Sequence, residues 1–154
     1  MNVTIPQARP RTASRPAGFL STRPVWLVAI LATLAGAVAT EAFALVARAA
    51  GVPMEAASPG AAEAAPIPVG GFGGGVVFWS VAGIALAVVL ARWAKQPART
   101  FTVTTVVLTA LSLAGPAVAP HTATSTQAVL AVSHGVAAAV IIPLVARRLS
   151  HVRR

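Results

Sequence analysis

The sequence predicts an all-α membrane protein, with four transmembrane helices in an up-down bundle and both termini in the cytoplasm. Of its 154 residues, 56% are hydrophobic and only 10% are charged, whereas a soluble domain carries about 25% charged residues. The hydrophobic residues fall in four blocks, each about 20 residues long, which is the length that crosses a hydrocarbon core of ~30 Å. A third observation, the position of the basic residues, predicts the orientation.

The predicted spans cover residues 25–47, 72–91, 101–119 and 127–146, within one transmembrane domain of residues 25–148. Before this domain, residues 1–24 combine several arginines with closely spaced prolines, which prevent a regular helix. We therefore expect a disordered basic cytoplasmic arm. After the domain, residues 149–154 are expected to form a basic cytoplasmic tail.

The first span is followed by a long connection. Because the span exceeds a signal-peptide core of about 7–15 residues, we expect an uncleaved anchor, with cleavage near Arg48 as the alternative. Prolines and a glycine cluster in residues 51–75 are typical of a loop. The stretch GGFGGG at 70–75 resembles a phosphate-binding loop only in its glycine content, because it lacks the lysine of a P-loop. A flexible loop is expected there.

The third span has a sequence that also fits a strand. Its first half, FTVTTVVLTA at 101–110, is rich in Thr and Val, which favour strands. A lone strand leaves its backbone groups without partners in lipid, so we expect a helix. Pro116 lies close to the end of this span, where a missing backbone N–H costs least.

Basic residues are concentrated on one side of the predicted bundle. The arm holds four, the link at 92–99 holds three and the C-terminal end holds four, which leaves only Arg48 for the other side. By the positive-inside rule both termini are therefore cytoplasmic, and the expected location is the plasma (inner) membrane. Trp26 and Trp93 fall near the same interface, where indole rings are enriched.

The net charge of the protein also bears on which partners we expect it to bind. A net charge of +9 is typical of nucleic-acid binding in soluble proteins, but here the basic residues flank hydrophobic blocks, and we expect no nucleic acid. The expected partners are the lipid bilayer and anionic headgroups at the cytoplasmic face, which attract each basic residue by ~1 kcal/mol. A homo-oligomer or an unknown membrane partner remains open. We expect no cofactor and no metal, since Cys is absent and the histidine spacing requires no metal site.

Small residues at four-residue spacing predict where the helices pack, because small side chains allow close helix approach in lipid. Two such ridges are Ala32, Gly36 and Thr40 in the first span, and Ala131, Gly135 and Ala139 in the fourth. We expect the first and fourth spans to pack together along these ridges.

Glu41 is the one acidic residue within a predicted span. Counted at 1.5 Å per residue from the outer side, it shares a layer with His134 of the fourth span and Ser112 of the third. Burial disfavours the charged carboxylate, and a histidine within reach stabilises it and can share its proton. Intramembrane ionisable residues are functional candidates by default. The structural alternative is a carboxyl bonded to Thr40, Ser112 or a backbone carbonyl, paired with Arg48, or facing a water-filled dimple.

Three stretches carry a family resemblance: ARAAGVPME at 47–55, LSLAGP at 111–116 and SHGVAAAVIIPLVARR at 133–148. They resemble a family of small four-helix bacterial membrane proteins that is defined as a domain of unknown function. The resemblance covers roughly residues 25–148. It implies four spans and an integral membrane location, and it transfers no activity and no functional residues.

The expected function is that of a non-enzymatic integral membrane protein, as a structural or accessory subunit. No Ser-His-acid arrangement and no pair of carboxylates is visible in the sequence, and Asp is absent. The alternative is a small proton-coupled transporter or carrier that uses Glu41 and His134 as a protonatable pair.

Overall fold

The computed structural model describes residues 22–57 and 60–152. These ranges contain helices α1 (Val25–Ala49), α2 (Gly71–Trp93), α3 (Pro97–Ser112), α4 (Ala114–Ala117) and α5 (Thr124–Ser150), and strands β1 (Glu55–Ala56) and β2 (Ala65–Pro66). The predicted arm lies outside the described residues up to position 21, as do positions 153 and 154 of the predicted tail.

Within residues 22–57 and 60–152, four helical segments are long and apolar enough to cross a membrane. They are α1, α2, α5, and α3 together with α4 as one segment, Pro97–Ala117. Their mean hydropathies lie between 1.4 and 2.3. Large apolar side chains such as Phe78, Trp79 and Val81 on α2 point away from the protein, as expected for a surface in contact with lipid. The all-α class with four apolar helices is therefore confirmed.

The most buried of these helices is α1. In its most apolar stretch 44% of the residues are buried, against at most 17% in the other three segments. Its buried face is built from small residues, among them Ala29, Ala32 and Gly36. Small side chains let neighbouring helices approach closely, and α1 packs against both α2 and α5.

Two hydrophobic clusters mark the two ends of the molecule. One joins Ala29 and Ala32 of α1 to Ala87, Phe101, Val145 and Leu149. It lies close to the turn between α2 and α3, and we call this end the turn end. The other cluster contains Ala44, Met54, Phe72 and Val129, close to the β1–β2 hairpin, and we call this end the hairpin end.

The predicted ridge of α1 faces α5. Ala32 and Thr40 are 1% and 2% exposed, and a Cβ placed on Gly36 would lie 2.7 Å from Cγ1 of Ile141. The first span therefore packs against the last, as the ridge on α1 predicts.

The predicted ridge of α5 is wrong. Gly135 and Ala139 are exposed, and Ala131 is only half-buried. Instead, α5 presents larger side chains to α1, including Ile141. The physical reason is complementarity of shape: small residues on α1 form a groove, and bulky side chains fill a groove better than a second row of small ones.

The glycine-rich connection also differs from the prediction. Glu55 pairs with Pro66 and Ala56 with Ala65 in an antiparallel hairpin. Helix α2 begins at Gly71, so most of the GGFGGG stretch is helical rather than a flexible loop. Each helical glycine costs about 0.5–1 kcal/mol relative to alanine, but at membrane depth an unpaired backbone costs more.

Candidate functional site

Glu41 of α1 binds the first turn of α2. Its Oε1 accepts a hydrogen bond from the backbone N–H of Gly70 at 2.7 Å, and its Oε2 accepts one from the N–H of Gly73 at 2.9 Å. The first N–H groups of a helix have no partner within the helix, and that end attracts negative charge. The carboxylate therefore caps α2 from a neighbouring helix.

Helix α2 has no cap of its own. Its N-cap residue is Gly70, with φ of 87°, and no side chain from α2 bonds to the first turn. Most helices place Ser, Thr, Asp or Asn at this position. Because glycine carries no acceptor, the N–H groups of this turn need one from elsewhere, and Glu41 provides it.

The close approach of α1 and α2 depends on Gly73. A Cβ at this position would lie 3.3 Å from the carbonyl oxygen of Ala37 and 3.6 Å from Oε2 of Glu41. Glycine therefore leaves the space that the carboxylate needs to reach the backbone.

Arg48, about two helical turns beyond Glu41, binds the same connection. Its Nη2 donates a hydrogen bond to the carbonyl oxygen of Ile67 at 2.7 Å. The hypothesis that Glu41 pairs with Arg48 is therefore wrong: the acid takes N–H donors and the base takes a carbonyl acceptor. Together they fasten the segment before α2 to α1 from both sides.

His134 and Ser112 bind carbonyl groups of their own helices. Nδ1 of His134 lies 2.6 Å from the carbonyl oxygen of Leu130, and Oγ of Ser112 donates to that of Thr109 at 2.7 Å. Within residues 22–57 and 60–152, no hydrogen bond joins Glu41, His134 and Ser112 to one another. The predicted layer thus contains three polar residues, each bound to backbone.

His134 and Ser112 nevertheless line one cleft. Its volume is about 810 Å³, and it is lined mainly by residues of α2, α3 and α5, with three from α1. Thr40 lines it, and Glu41 does not. The acid and the histidine therefore have different partners, and only the histidine lines the cleft.

Hydroxyl groups are the part of this site that the sequence reasoning missed. Besides Ser112 and Thr40, the lining includes Thr33, Ser80, Thr104, Thr105, Thr109 and Ser133. The signal for these hydroxyl groups was the Thr-rich start of the third block, which was interpreted only as a preference for strand structure. Within the described part of the chain, no three His, Asp or Glu side chains are grouped as metal ligands.

The family follows from a match that covers most of the chain. A family model, described as a family of unknown function, matches residues 20–151. The chain belongs to DUF6069. The resemblance to a four-helix membrane family of unknown function is thereby confirmed. The bacterial origin of the protein stays a prediction. No curated protein and no solved structure matches this DUF6069 chain. Membership of DUF6069 assigns no activity, so function has to be argued from the geometry.

Proposed function

We propose that this protein is a non-enzymatic integral membrane protein of the plasma membrane, with a structural or accessory role. The observation that carries the proposal is the position of Glu41, whose two carboxylate oxygens cap α2. A proton carrier needs an acid that alternates between partners, and this acid is part of the helix framework. His134 is likewise bound to its own helix.

The proposal includes an up-down bundle with both termini cytoplasmic. Among the described residues, the basic side chains next to the turn end are Arg23, Arg92, Lys95, Arg99, Arg147 and Arg148, whereas Arg48 lies next to the hairpin. The side chain of Arg148 donates to the carbonyl of Arg23, so the two ends of the described chain lie together. The positive-inside rule supports a cytoplasmic turn end that contacts anionic lipid.

Complementation of a strain that lacks the protein tests the role. Glu41→Gln and His134→Ala are expressed in this strain at levels matched by fluorescence-detected size exclusion. We expect both variants to restore the wild-type phenotype, because neither side chain is required to transfer a proton. Glu55→Gln, at an exposed hairpin position, is the matched control.

Liposomes provide the opposing test. Wild-type protein and Glu41→Gln are reconstituted with an internal pH dye, and a membrane potential is imposed. We expect the two preparations to match empty liposomes. A proton current through the wild type that disappears in Glu41→Gln, with both proteins folded, would establish the carrier and overturn the accessory role.

A further inference from the structure

We propose that the cleft between α2 and α3 binds a neutral amphipathic lipid whose head group is a hydroxyl, such as a long-chain alcohol. The proposal goes beyond the accessory role, which neither requires nor excludes a ligand. It rests on the size of the cleft, the chemistry of its polar groups and one buried hydroxyl without a partner.

Size and charge define the class of ligand. The volume of about 810 Å³ lies within the range of about 300–1,000 Å³ that is typical of small-molecule sites. Most of the lining is apolar, and no Asp, Glu, Lys or Arg contributes to it. A charged head group would lose its hydration without gaining a counter-charge. The ligand is therefore neutral with a long apolar part.

The polar groups of the cleft offer both acceptors and donors, since among the described residues the lining hydroxyls of Ser80 and Thr104 make no hydrogen bond. A carbonyl oxygen only accepts, so Nδ1 of His134 carries the proton that it donates to Leu130. Ser133 donates its hydroxyl proton to the carbonyl of Leu130 at 2.6 Å, and Ser112 donates to Thr109. Lone pairs on these oxygens remain available. The matching head group is one that both donates and accepts, as a hydroxyl does.

Thr40 supplies an independent sign of an absent partner. Its side chain lines the cleft, it is only 2% exposed, and its Oγ1 has no hydrogen-bond partner among the described residues. A buried hydroxyl without a partner is costly. This oxygen is buried as the structure stands, so a ligand hydroxyl, which both donates and accepts, satisfies Thr40 once a small side-chain movement opens it to the cleft.

The route of entry favours a lipid over a water-soluble molecule. Helices α2 and α3 each present apolar side chains away from the cleft, including Phe78, which is 69% exposed, and Leu111, which is 65% exposed. In a membrane these surfaces contact acyl chains. A molecule already dissolved in the bilayer therefore reaches the cleft sideways, between α2 and α3.

Photolabelling tests the site. The probe is hexadecanol with a diazirine at mid-chain, added to the full chain in phosphatidylcholine nanodiscs. A Cβ on Gly83, which lines the cleft, would meet no atom within 4 Å, so we expect Gly83→Phe to extend its ring into the cleft. We expect labelling of cleft residues to fall at least about tenfold, which corresponds to ~1.4 kcal/mol. Gly135→Phe, at an exposed glycine outside the cleft with the same open space, should label like the wild type.

Head-group recognition has its own control. The methyl ether of the same probe lacks the donor, so we expect it to label cleft residues at least about fivefold less than the alcohol, because it leaves buried acceptors unpaired. Thr40→Val should reduce the difference between the two probes.

If Gly83→Phe does not fold, Gly83→Leu and Gly75→Leu take its place.

Two results would overturn the inference. One is equal labelling of wild type and the filled-cleft variants, which would mean that the probe samples the bilayer surface of the helices. The other is equal labelling by alcohol and ether, which would show that the cleft does not recognise a hydroxyl. Neither result would alter the outcome of complementation or of the liposome experiment.

Discussion

At the scale of single residues, a side chain from one helix completes the hydrogen bonding of another. Glu41 accepts from two N–H groups at the start of α2, where the helix itself offers no capping side chain. A residue with the appearance of a proton carrier therefore serves as a cap. The carboxylate does not line the cleft because it is bound to the start of α2.

Removal of this cap should destabilise the protein. We expect Glu41→Ala to lower the free energy of unfolding by about 1–3 kcal/mol, because two backbone donors lose a charged acceptor. Glu41→Gln keeps one acceptor oxygen and should lose about half as much. The measurement is unfolding in mixed micelles, followed by tryptophan fluorescence. Glu55→Ala on the exposed hairpin is the control, and an equal loss in that variant would refute the cap.

The sequence pointed to Glu41 but not to its partner. An acidic residue within an apolar block is conspicuous, whereas the donors are backbone N–H groups, which every residue except proline carries. An indirect signal was present, since the glycine cluster at 70–75 begins a helix without any capping side chain. A helix of this kind needs an acceptor from elsewhere in the protein.

At the scale of helices, the contact between α1 and α5 joins a groove of small residues to a row of larger ones. Gly36 and Ile141 form its tightest point, because a Cβ on Gly36 would lie within 3 Å of the isoleucine side chain. Four-residue spacing on α1 was enough to predict this face. On α5 the same spacing indicated the wrong face, because an alanine-rich helix repeats small residues on several sides.

Filling this groove should be costly. We expect Gly36→Leu to lower the free energy of unfolding by about 1–3 kcal/mol through overpacking. The added substitution Ile141→Ala should restore part of the loss, since it removes the side chain that clashes. Gly135→Leu on the exposed face of α5 should stay within about 0.5 kcal/mol of the wild type. Additive effects of Gly36→Leu and Ile141→Ala would show that the two residues do not contact each other in the membrane.

At the scale of the whole molecule, the fold class could be predicted from the sequence, whereas the cleft could not. Hydropathy and length predict four spans because lipid leaves few alternatives to a helix. The gap between α2 and α3 arises from how four helices arrange themselves, which depends on many weak contacts at once. Single residues such as Ser112 and Thr105 therefore gave no sign that they line a common space.

The orientation of the molecule has a direct test. We expect a reporter that is active only in the cytoplasm to be active when fused after residue 154, and inactive when inserted in the hairpin connection near Gly60. The asymmetry of basic residues between the turn end and the hairpin end is the physical reason. The reverse pattern would contradict the proposed topology and move the basic surface to the outer face.

The cap on α2 also has a consequence for biogenesis. A ribosome delivers α1 to the membrane first, and with it the acceptor that the start of α2 requires. The second span then enters the membrane beside α1, which already carries the carboxylate that caps it. Arg48 binds the segment that precedes α2 and keeps it close to α1. The helix that supplies the acceptor is thus synthesised before the helix that requires it. Helices α1 and α2 therefore form a unit of membrane insertion to which the later spans are added.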